Sequence, residues 1–169
     1  MPRAPDKIRN QEIDIINNIR NILLNDEYIQ EQIKGPATGQ YLISDESLIM
    51  QTINFYGLQP VIAVYFNGET QFNRNTTGQY TQQTASKYYI DVAAQATQEQ
   101  SARNLAYKFC KDIKYTLGFN RNLAFAGTAV KVADSDVISI EPSLFDNLNN
   151  LWTYIFTIQM EILTYDCVR

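Results

Sequence analysis

The chain alternates between two hydrophobic periods, and the changes of period mark its elements. Ile8, Ile15, Ile16, Ile19, Ile22 and Leu23 recur at helical spacing. They predict an amphipathic first helix over 7–24, N-capped by Asp6, with Asn17, Asn18 and Arg20 facing outward. A looser helical stretch follows at 27–34 and stops at the Gly35-Pro36 breaker. Residues 36–59 are ambiguous; Ser44 suits the cap of a short helix holding Leu48, Ile49 and Ile53.

From Pro60 the period shortens. Val61 to Phe66 is apolar at every position, the pattern of a strand covered on both faces. Asn67-Gly68 signals a turn. The stretch 69–86 is almost wholly Thr, Gln, Asn and Gly, and reads as either an exposed loop or a protruding hairpin. A second strand is expected at 88–93. Ala102, Leu105, Ala106, Phe109, Ile113 and Leu117 then trace one face of a second main helix, starting near Thr97 or Ser101 and stopping at Gly118. Residues 129–133 and 137–140 read as two short strands around an Asp134-Ser135-Asp136 turn, and 146–150 as a loop. In the last strand Trp152, Tyr154, Phe156, Ile158, Met160 and Ile162 share one face, and Thr153, Thr157, Gln159 and Glu161 the other. The expected fold is α+β: a twisted, largely antiparallel sheet with two main helices packed on one face, making residues 1–169 one domain with a long polar loop or hairpin at about 67–86.

Composition narrows the chemistry. The 169 residues contain no histidine, which removes imidazole acid–base work, Ser-His and Cys-His nucleophile pairs and imidazole-ligated zinc. Cys110 and Cys167 lie far apart and suit a reduced compartment. Asp134, Asp136 and Glu141 form the best carboxylate group, but without the glycine and spacing of a calcium loop they read as an ordinary turn. No phosphate-binding loop, secretion signal or membrane-length apolar run is present, so the expectation is a non-enzymatic protein with no catalytic residue, metal or cofactor and no membrane contact. The net charge of −4 and the lack of a Lys/Arg cluster argue against nucleic-acid binding; Lys108, Lys111 and Lys114 read as a solvated helical stripe. Asn and Gln number 15 and 14 against 19% charged residues. Such a surface desolvates cheaply and suits partner contact. Within the polar stretch, Phe72, Arg74 and Tyr80 are residue types that anchor interfaces, so they are the candidate contact residues.

The layout resembles the tail-terminator, or neck-terminator, proteins of tailed bacteriophages. The resemblance lies in Pro60 leading Val61 to Phe66, the strand 88–93, the helix opening near Ala102-Arg103, and Leu144-Phe145 followed by Trp152 and the alternating Phe156-Thr-Ile-Gln-Met160. It covers about 1–166 in element order; the segment 27–59 is longer than the resemblance leads one to expect. It implies a homohexameric ring in the tail or neck of a virion, made in the host cytoplasm. Such a ring caps the tail tube, meets the head–tail connector, and in contractile tails adjoins the sheath. DNA passes through without specific binding, and Asp134, Asp136 and Glu141 are the candidate lumen-facing acids. The alternative is a small protein-binding module, such as a chaperone or inhibitor, acting as monomer or dimer.

Overall fold

A computed structural model describes residues 11–32, 42–43, 60–75, 81–123, 132–148 and 150–167. The elements run α1 (Gln11–Asn25), α2 (Glu27–Gln32), β1 (Leu42–Ile43), β2 (Val61–Asn75), β3 (Thr81–Ala96), α3 (Glu99–Phe119), β4 (Val132–Leu148) and β5 (Leu151–Cys167). The strands form one sheet in the order β1-β2-β3-β5-β4. All its pairings are antiparallel except the short parallel β1–β2 contact. The α+β fold read from the sequence is thus the fold observed.

Both main helices lie on one face. α3 packs on β3 and β5, and α1 packs on β2 and against α3. The face is fixed by the Tyr107 and Phe156 rings, whose centroids are 5.6 Å apart. Phe156 pairs with Val92, and Val92 with Ile62, so strand alternation puts Ile62, Val64, Tyr88, Ile90, Val92, Ile158 and Met160 under the helices. All are buried. From α3 the same layer receives Ala106, Phe109, Ile113 and Leu117, and from α1 Ile15, Ile19 and Leu23. Ala102 and Ala106, both fully buried, keep α3 close to the sheet.

Several expectations need correction. Asn18 does not face outward: it is fully buried and its Nδ2 donates to the Leu123 carbonyl at 3.1 Å. Leu123 takes a left-handed φ of 46°, and this bond holds its backbone to α1. Asn67-Gly68 is not a hairpin turn. It sits inside β2, where the pairing with β3 shifts between Phe66 and Glu69, and Gly68 supplies the φ of 94° that such a bulge needs. Asp134-Ser135-Asp136 is not a turn either. β4 runs unbroken through it, absorbing the irregularity as shifts at Val132/Asp134, Val137/Ser139 and Pro142/Leu144. Nor is 146–150 a loop: β4 continues to Leu148, which pairs with Leu151, and Asn150 turns the chain at φ 63°.

Where described, the first helix runs Gln11–Asn25, one residue past its expected end at 24; Asp6 and Ile8 lie outside the described residues, as does the expected helix at Ser44. Asp26 separates the two N-terminal helices and caps the second, its Oδ1 accepting from the Ile29 amide at 3.0 Å.

Candidate assembly surface

The polar stretch after Gly68 continues the sheet. Backbone pairing of β2 with β3 extends to Asn75 and Thr81, so the choice between loop and hairpin falls to a hairpin. Phe72 pairs with Thr84 and Arg74 with Gln82; Tyr80 lies outside the described residues. This hairpin is not a free arm. β5 backs β3 to its start, pairing Thr81 with Cys167 and Ala85 with Leu163. Its seventeen residues make it long enough to follow β3 to the end.

The three candidate acids all lie on β4, an edge of the sheet. Asp136 pairs with Glu161 and Glu141 with Thr157, on the face away from the helices, and both acids are exposed. Those partners are four residues apart, so the two acids stand about 13 Å from each other along the strand. Asp134 differs. It makes a two-pronged ion pair with Arg121, Nε to Oδ1 at 2.9 Å and a terminal guanidinium nitrogen to Oδ2 at 2.8 Å. Ser135, one residue on, donates to the Arg121 carbonyl at 2.6 Å. Asp134 therefore ties β4 to the chain just after α3.

The face away from the helices also holds a buried polar row. Asp91 is 2% exposed. Its Oδ1 accepts from Thr157 Oγ1 at 2.5 Å and its Oδ2 from the Tyr65 hydroxyl at 3.1 Å. Gln95 Nε2 donates to Thr153 Oγ1 at 2.9 Å four residues further along. Sequence reading placed Thr153 and Thr157 on one face of the last strand; the register sets them beside Gln95 and Asp91, with which they make hydrogen bonds. Cys110, on α3, is buried and free, and burial, with a smaller push from Asp91, raises its thiol to about 12. At that value it stays protonated and unreactive.

The sequence reading had Lys108, Lys111 and Lys114 as a solvated stripe of α3, and they are exposed, but it missed the aromatics among them. Tyr107, Tyr115 and Phe119 are exposed by 41%, 70% and 74%. With Lys111 they fall at successive four-residue steps and so form one stripe. Lys111 Nζ lies 5.0 Å from the Tyr107 ring centroid, and Tyr115 and Phe119 meet edge to face at 4.8 Å. Arg103, Lys108 and Lys114 are exposed beside them. The signal was available: these residues occupy the helical positions that the Ala102–Ala106–Phe109–Ile113 stripe leaves to solvent. Among the described residues no group of three or more His, Cys, Asp or Glu is placed to hold a metal ion, and no helix is long and apolar enough to cross a membrane.

No protein-family model and no curated protein matches the sequence. Among solved structures, a chain from the virion of a native gene transfer agent particle matches over 88% of this chain and 93% of its own length, at a TM-score of 0.46 and 9% identity. Superposition at that level assigns nothing to this chain.

Proposed function

We propose that this chain is a non-enzymatic structural protein of a virion, of the tail-terminator type. In this reading it forms a ring, a homohexamer, that caps the tail tube and meets the head–tail connector. The observation that carries the reading is the arrangement of the segments in which the sequence resembles terminators. β2, β3 and β5, including the long strand opened by Trp152, are neighbours in one sheet, and α3 lies across β3 and β5. A sheet with two strands of seventeen residues and one of sixteen, with an exposed edge and an exposed aromatic helix face, presents surface for neighbours. The candidate acids fit this reading as part of the exposed edge, Asp136 and Glu141 by free exposure and Asp134 through its tie to Arg121. Phe72 and Arg74 sit towards the far end of the β2–β3 hairpin, where a neighbour or the tube is the proposed contact.

The test is imaging of the full chain with purified tail tubes. Rings at tube ends are the expected result; a chain that leaves the ends bare contradicts the reading. The second reading, a binding module acting as monomer or dimer, draws on the same exposed α3 aromatics, and a stable monomer that ignores tail tubes favours it.

A further inference from the structure

The described surface separates its charges. The outer face of α3 carries Arg103, Lys108, Lys111 and Lys114 around Tyr107, Tyr115 and Phe119. Two carboxylates stand at its margin: Glu99, in the first turn, accepts the Tyr154 hydroxyl at 2.8 Å, and half-buried Asp112 interacts with Lys108. β4 carries the opposite sign. Asp136, Glu141 and Asp146 are exposed along it and pair with Glu161, Thr157 and Thr153, which recur every fourth residue on one face of β5. Glu161 lies beside Asp136 and pairs on its other side with Lys87 of β3, while Glu141 and Asp146 face Thr157 and Thr153. Between Asp136 and Glu141 the ladder skips Ile138, an apolar side chain 54% exposed.

We infer that the basic, aromatic face of α3 in one subunit seats the acidic edge strand β4 of the next copy of the chain. The inference rests on the ring reading and names its contact surfaces. Three features of the two surfaces support it. The signs are complementary, and a chain of net charge −4 has reason to place its exposed bases where another acidic surface docks. The lengths agree: Arg103 to Phe119 spans about 24 Å of helix and Asp136 to Asp146 about 26 Å of strand. The apolar parts also agree, since Ile138 supplies a contact for Tyr115 and Phe119 between two acids. The two surfaces differ, so the contact is head to tail, and such contacts close into rings when the rotation allows. β4 meets the helix through side chains rather than by adding a strand: Pro142 and the three pairing shifts spoil its backbone as a template for another strand.

The experiment measures self-association of the full chain by sedimentation over its soluble concentration range. It compares wild type with a Lys111→Glu/Lys114→Glu variant and an Asp136→Lys/Glu141→Lys variant. All four side chains are exposed, and circular dichroism checks that each variant folds. Each reversal should raise the dissociation constant about tenfold or more, the effect of losing two or three ion pairs. Mixing the two variants should restore association between them, because the reversed surfaces are again opposite in sign. Tyr115→Ser/Phe119→Ser should weaken association without lowering the melting temperature. Wild type that associates as strongly as either reversal overturns the interface but leaves the ring. Wild type that stays monomeric at every concentration and ignores tail tubes overturns both. Duplex DNA binding that Lys111→Glu/Lys114→Glu abolishes, with association unchanged, gives the basic face to nucleic acid and overturns the inference.

Discussion

At the scale of single residues, several buried polar groups among the described residues are held by partners, Asn18, Asp91 and Gln95 among them. Asp91 accepts two hydroxyl hydrogen bonds across three strands, so Thr157→Val should leave a buried carboxylate oxygen short of a donor. The expected cost is about 1–3 kcal/mol in urea unfolding; a neutral result would show that Asp91 is satisfied without Thr157. Asp112 faces the α1–α2 junction. Burial raises its pKa, Lys108 opposes that, and Asp26 adds to it. The folded chain therefore binds more protons than the unfolded chain as pH rises from the ordinary value of 3.8, and stability falls across that window. Asp112→Asn should lose less stability between acid and neutral pH than wild type, read as melting temperature at both. A steeper loss would show that ionised Asp112 is favoured by the fold. Cys110 should resist alkylation in the native chain and react only on unfolding, read by peptide mass spectrometry.

At the scale of elements, α3 against β5 is the main join. Phe109 and Phe156 are 2% and 5% exposed, so Phe109→Ala and Phe156→Ala should each cost about 3–5 kcal/mol in thermal melts. A loss under about 1 kcal/mol would mean that the site refills on truncation. Both residues were legible in the sequence because period 3.6 and period 2 are strong signals over long elements. The turns were less legible. Asn67-Gly68 and Asp134-Ser135-Asp136 carry turn residues, yet each sits within a strand as a local irregularity. Composition shows that the backbone departs from regular geometry; only pairing with β3 or β5 shows that the strand continues. Asn18 was misread for a related reason. Its amide has a carbonyl partner 105 residues away, and helical spacing carries no information about such a contact. The exposed α3 aromatics were open to reading, since Tyr107, Tyr115 and Phe119 share helical spacing with the solvated Lys111.

At the scale of the whole molecule, the α3 bases and the β4 acids are the proposed link between fold and assembly. In a six-membered ring each copy contributes −4, giving −24. A conduit of that charge keeps duplex DNA mobile, and the protein should show no sub-micromolar, salt-sensitive DNA binding at physiological salt. Such binding would refute the conduit. The central claim is assembly into a closed ring, and native mass measurement of the full chain, alone and with purified tail tubes, tests it most directly. The account predicts a closed oligomer of six copies, formed alone or on the tube. A stable monomer that does not bind tubes would contradict it.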